Sequence, residues 1–177
     1  MEGNGGMQEQ MERPEMLTDG EQAIIQNTWT KVYQNKDAAG VAVLMRLFTS
    51  FPSSKQFFSQ FRDTEDPEEL KSSVQLKKHA LRVMSALNTL VENVNDEEKT
   101  AAVLKVVAKS HAIKHSVEPR YFKLLTGVIL EVLVEAFPET FGVEAQGAWS
   151  KLMEVVHWQV MQVYSEIGWT SANSATE

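Results

Sequence analysis

Cysteine is absent from the 177 residues of this chain. That excludes a disulfide-stapled scaffold and thiol catalysis. Long apolar runs are missing too. None reaches the roughly 18 residues that a bilayer-crossing helix needs, and the longest apolar region, residues 128–137, is broken by Glu131 and Glu135. No stretch alternates with period two over a useful length, so strands are not expected. Basic residues are outnumbered: 17 Lys and Arg against 24 Asp and Glu leave a formal charge of −7. Nucleic acid and anionic membrane are poor partners for such a surface. The start of the chain shows no basic stretch followed by an apolar core, and Gly3 stands one place too late for myristoylation. A cytoplasmic location is expected, with the nucleus reachable by diffusion. There is no Gly-rich phosphate loop, no H-E-x-x-H and no nucleophile elbow. The acidic pairs Glu68-Glu69 and Glu97-Glu98 stand at helix starts, where the helix dipole favours them, and do not read as a catalytic dyad.

What remains is enough for one domain with a sizeable core. Residues 1–16 are rich in Gly, Gln, Glu and Met without a period, and residues 170–177 are small and polar; both read as disordered tails. The domain is expected over residues 17–169. Thr18 and Glu21 form a capping box ahead of a helix with Ile24, Ile25, Thr28, Trp29 and Val32 on one face. A second helix is expected over 38–49, with Val41, Leu44, Met45 and Phe48 inward. Gly40 in its interior signals a close approach of another backbone. Pro52, Asp66-Pro67, Ser72 or Ser73, Asn95-Asp96 and Pro119 mark further helix starts. A last helix over 144–167 buries Ala148, Trp149, Leu152, Val156, Val160 and Val163, and Gly168 supplies its left-handed stop.

Two histidine-bearing stretches organise the chain. In V-Q-L-K-K-H-A-L-R-V (residues 74–83), His79 shares a helical face with Leu76, Val83 and Leu87. In A-K-S-H-A-I-K-H (residues 108–115), His111 follows Leu104 and Val107 on a second apolar face. Two such faces turned toward each other enclose an oily slot with an imidazole on each wall. Iron in a flat apolar macrocycle suits that slot, because neutral imidazole is a good iron ligand. A lone histidine on an apolar face is more often a hydrogen-bonded core residue.

The surrounding residues tip the balance. L-K-K-H-A-x-R-V and K-S-H-A-x-K-H resemble the distal and proximal histidine segments of vertebrate globins. F-P-S-S-K-Q-F-F-S-Q-F (residues 51–61) resembles the segment that carries the haem-stacking phenylalanine of that family. The resemblance spans residues 17–169, and Y-F-K-L-L-T-G-V-I-L-E-V-L-V-E-A-F (residues 121–137) is most similar to the cytoglobin branch.

The resemblance implies an all-α globin fold of about eight helices around a pocket for one non-covalent haem b. His111 is then the proximal iron ligand, its other ring nitrogen held by the Val107 carbonyl. His79 is the distal and catalytic residue, either a hydrogen-bond donor to dioxygen or a second axial ligand in hexacoordinate iron. Phe58 lies flat on the haem, and Leu44 and Val83 close the gas pocket. His115 approaches a propionate, and Val117 and Phe122 add haem contacts; Arg82, three residues after His79, suits a propionate at the pocket rim, with a solvated arginine the alternative. His157 matches no family role and is expected to be a partly exposed structural residue.

The implied function is reversible binding of dioxygen, nitric oxide and carbon monoxide, with scavenging of nitric oxide (as a dioxygenase) and of reactive oxygen species. The alternative is a plain five-coordinate storage or transport protein of myoglobin type. Nitrite reduction, superoxide dismutation, peroxidase activity and lipid interaction are credited to the same branch. No flavin or nicotinamide segment is visible, so turnover is expected to draw on an external reductase or small reductant. Positions where many cytoglobins carry cysteine hold Lys36 and Leu81. A thiol switch is therefore not carried over, and a monomer or weak non-covalent homodimer is expected.

Overall fold

The computed structural model describes residues 12–169. The expected tails fall outside it, except for residues 12–16. No strand is present among the described residues, and none of the helices is long and apolar enough to cross a membrane.

Local chemistry accounts for most helix starts. Helix α1 (Asp19–Tyr33) opens with both halves of the capping box in place: the Glu21 amide donates to the Thr18 hydroxyl at 3.1 Å and the Thr18 amide to the Glu21 carboxylate at 2.9 Å. Helix α2 (Lys36–Ser50) begins two residues before the expected start at Ala38. Its cap residue Asn35 makes no side-chain cap bond, so the sequence carries no signal there. A 3₁₀ turn follows over Pro52–Phe57. Asp66 caps α3 (Pro67–Lys71), Ser73 caps α4 (Val74–Glu92) and Asp96 caps α5 (Glu97–Lys109). One turn of π-helix (Ser110–Lys114) extends α5. Helix α6 (Arg120–Ala136) starts after Pro119, and α7 (Val143–Glu166) closes the chain. Gly168 ends it at φ +69°, the left-handed conformation expected.

Helix α2 lies against α4 and α6, α5 and α6 against α7, and α1 against α4 and α7. Trp149 at the centre is fully buried. Its indole N–H donates to the Thr28 hydroxyl at 2.8 Å, and that hydroxyl donates to the Ile24 carbonyl, so no buried polar atom in this chain of bonds is orphaned. The Trp29 indole donates to Asn88, tying α1 to α4. The inward face of α2 is Ala39, Gly40, Val43, Leu44, Leu47 and Phe48; the expected Val41 and Met45 are only half-buried. With α4 on one side and α6 on another, this helix is apolar over most of its circumference, and periodicity cannot choose the face.

Helices α2 and α4 come close together at Gly40. A Cβ placed there would stand 2.9 Å from Met84 Cγ and 3.0 Å from the Ala80 carbonyl oxygen. This is the contact that the interior glycine announced, and it fixes α4 one residue from His79.

Residues 12–16 have no regular secondary structure, yet their side chains engage the body. Arg13 pairs with Glu97 at the start of α5 and lies over the Trp158 ring, 5.3 Å from its centroid. Glu15 reaches Lys151 at 3.4 Å.

Candidate functional site

The two histidines stand on different elements, near enough that the charge of His111 acts on the His79 imidazole. Helix α4 carries His79, with Leu76, Ala80 and Leu87 buried around it and Val83 half-buried. The π turn after α5 carries His111, above buried Leu104 and Ala108. A π turn widens the helix locally, and such turns concentrate at functional sites. The expectation of an unbroken helix through His111 is therefore refined: α-helical bonding stops at Lys109.

His111 is oriented by its neighbour one turn back. Its Nδ1 lies 2.8 Å from the Val107 carbonyl oxygen. A carbonyl only accepts, so Nδ1 carries the hydrogen and Nε2 keeps its lone pair free. Burial holds the imidazole below the ordinary histidine range; the Val107 bond works against that, and the charge of His115 adds to it. His111 is thus a neutral donor of an electron pair. The Phe122 ring meets it near edge-on at 5.2 Å.

His79 is held differently. Burial pushes its imidazole down to about 4, with the charges of His111, Arg82 and His115 acting the same way. It too is neutral near pH 7. Among the described residues it makes no hydrogen bond, and its one ring contact is the edge of Phe58 at 4.8 Å and 74°. Phe58 in turn stacks on Phe61 at 5.1 Å and meets the edge of Phe48 at 5.3 Å. Phe57 points elsewhere, onto Tyr121 at 5.2 Å. Within the F-F-x-x-F run, Phe58 is the ring that meets a histidine among the described residues.

The other residues singled out from sequence fall as follows. Leu44 is buried on α2. Arg82 and His115 are exposed, and Arg82 has no hydrogen bond or ion pair among the described residues. Val117 is buried beyond the π turn; its amide donates to the His111 carbonyl at 2.9 Å, and its own carbonyl accepts from the Tyr164 hydroxyl at 2.7 Å. Tyr164 was not expected. It lies on the buried face of α7 one turn after Val160, so its burial was legible but its partner 47 positions away was not. His157 is half-buried on α7, its imidazole lowered by burial and by Lys123.

No group of three or more His, Cys, Asp or Glu converges on a metal position among the described residues. Two neutral imidazoles without a third protein donor suit an ion whose equatorial positions are filled by a macrocycle, and the apolar walls suit its flat faces.

Comparison with known proteins agrees. The globin family profile matches residues 41–160. Over 164 residues the chain is 54% identical to Cytoglobin-2 of Danio rerio, covering 93% of this chain and 92% of that one. It is 52% identical over 173 residues to Cytoglobin-1 of Danio rerio, covering 97% and 99%, and 53% identical over 171 residues to Cytoglobin-2 of Oryzias latipes, covering 97% and 96%.

Proposed function

From the premise that the chain belongs to the globin family, we propose a gas-binding haem protein in which His111 and His79 both ligate iron at rest. Its cofactor is haem b, and as a globin it binds dioxygen and related gases. The haem would supply one redox-active iron able to bind a diatomic ligand.

The observation that carries the reading is the unequal tethering of two neutral imidazoles. His111 is locked by Val107 and presents Nε2 as a permanent ligand. Among the described residues His79 has no hydrogen-bond tether, so it would be free to hold the iron when no gas is present and to yield when gas arrives. Its ring N–H would then be available to donate a hydrogen bond to a partly charged ligand oxygen. Leu44 and Val83 keep water and large molecules out. Phe58 braces the macrocycle, Val117 and Phe122 line its proximal side, and Arg82 and His115 meet the propionates at the rim.

The same arrangement serves nitric oxide dioxygenation: nitric oxide, dioxygen and one electron give nitrate. The electron comes from an external reductase or small reductant. Nitrite, superoxide and peroxide are further substrates of such a site, and lipid a further partner. We place the protein in the cytoplasm, with diffusion into the nucleus, as a monomer or weak non-covalent dimer.

An optical spectrum of the deoxy ferrous protein tests the central claim. Six-coordinate bands are expected. Five-coordinate bands support the second reading, plain dioxygen storage. That reading draws on the tight Gly40–Ala80 contact, which would resist a movement of α4 toward the iron.

A further inference from the structure

We propose that the proximal wall continues into an aromatic relay, His111–Phe122–Tyr164–Trp169, which conducts one-electron oxidising equivalents from the haem to an indole at the protein surface. The proposal rests on the haem reading above and adds a route by which electrons reach the buried group.

Successive ring centroids lie 5.2 Å, 6.1 Å and 5.7 Å apart, each pair near edge-on at 67–75°. All three separations are within ordinary aromatic contact. The two sides of the pocket differ in what such contacts reach. From His79 they lead to Phe58 and then to Phe48 and Phe61, rings that are far harder to oxidise than a phenol or an indole. From His111 a single phenylalanine acts as a bridge, and beyond it stand a phenol and an indole. The group of Trp29, Tyr33, Trp149 and Phe141 is joined by ring contacts to neither histidine among the described residues.

Tyr164 is suited to pass charge and not to keep it. Its hydroxyl donates to the Val117 carbonyl, which is too weak a base to take the proton, and burial raises its pKa further. Trp169 is only half-buried at the end of the described chain, so solvent is at hand to accept its indole proton.

With hydrogen peroxide as oxidant the sequence balances. Each peroxide takes up two electrons and two protons, its O–O bond breaks, and two waters form. Each electron comes from Trp169, whose indole N–H releases a proton to solvent and leaves a neutral indolyl radical. A phenol or ascorbate-class donor at the surface returns one electron and one proton and becomes a radical itself. One peroxide and two donors thus give two waters and two donor radicals. The relay lets a donor too large for the gas pocket reduce the site from outside.

The test uses the full-length ferric holoprotein, one equivalent of hydrogen peroxide, a nitroso spin trap, and mass spectrometric mapping of the adduct. The trap is expected on Trp169. Trp169→Phe should abolish that adduct and Trp169→Tyr should restore one at the same position. Tyr164→Phe, which keeps the ring but not an oxidisable phenol, should reduce the Trp169 adduct severalfold while its Soret band stays normal. Labelling of Tyr33 or Trp158 with none on Trp169 overturns the relay, as does an undiminished Trp169 adduct in Tyr164→Phe. A failed relay with normal gas-complex spectra leaves the haem reading standing, whereas absence of a Soret band removes both.

Discussion

Gly40 on α2 meets Ala80 on α4 with no room for one more carbon: a Cβ on Gly40 would lie 3.0 Å from the Ala80 carbonyl oxygen and 3.1 Å from its Cβ. Gly40→Ala gains about 1 kcal/mol of helix propensity but must separate two helices, and overpacking costs about 1–3 kcal/mol. The neighbour is backbone, which cannot swing aside. The variant should melt lower than wild type. Gly127→Ala and Gly147→Ala, where nothing lies within 4 Å, should melt higher by up to the full propensity gain. Equal responses at all three glycines would contradict the contact.

His79→Leu separates the two modes of the distal histidine. If His79 occupies iron at rest, apparent affinity is the intrinsic value scaled by the open fraction, so about 1% open means about a hundredfold weaker binding. Removing that competitor should speed and tighten carbon monoxide binding. Dioxygen should also enter faster, but it loses a hydrogen bond to a partly charged oxygen, worth about 1.5–3 kcal/mol, and should leave faster. Stopped-flow rates for both gases check this. Unchanged carbon monoxide association would leave His79 as a hydrogen-bond donor only.

Phe58 touches His79, Phe61 and Phe48, while Phe57 touches Tyr121. Truncating a large core aromatic costs about 3–5 kcal/mol, and for Phe58→Ala part of that should surface as haem loss. Transfer of haem to an acceptor apoprotein should accelerate more for Phe58→Ala than for Phe57→Ala. Matching rates would remove any special role for Phe58.

His157 gives a pH dependence of its own. Its folded imidazole is held below the ordinary value by burial and Lys123, so between those two values the unfolded chain binds more protons. Its contribution to stability is therefore complete above about pH 6.5 and falls as the medium becomes more acidic. Urea midpoints at about pH 7.5 and about pH 5.5 should separate more in wild type than in His157→Gln. The haem's own acid sensitivity is common to both proteins and cancels in the comparison.

The capping chemistry was readable because it is local. Thr18, Asp66, Ser73 and Asp96 each bond an amide two or three positions on, and such pairs lie side by side in the sequence. His79, His111 and Phe58 were singled out by resemblance to a family, and the apolar faces around the histidines by periodicity. What escaped depends on contacts distant in the chain. The Tyr164 hydroxyl finds a backbone carbonyl at Val117, and any residue can offer a carbonyl, so no side chain betrays the pairing. The Arg13–Glu97 pair spans 84 positions and starts inside a segment whose composition reads as tail. The face of α2 escaped for another reason: partners on two sides leave too little polar surface to mark a direction.

The π turn at Ser110–Lys114 has a consequence for insertions and deletions. It holds one residue more per turn than an α-helix, and each α-helical residue turns the chain by about 100°. Ile113 sits in this turn with 64% of its surface exposed. Deleting it would close the turn to α geometry and swing the following corner around the axis of α5. Val117 would leave the Tyr164 hydroxyl, while His111 kept its bond to Val107. Ile113 is thus a spacer. Almost any side chain serves at that position, but the chain cannot be one residue shorter there.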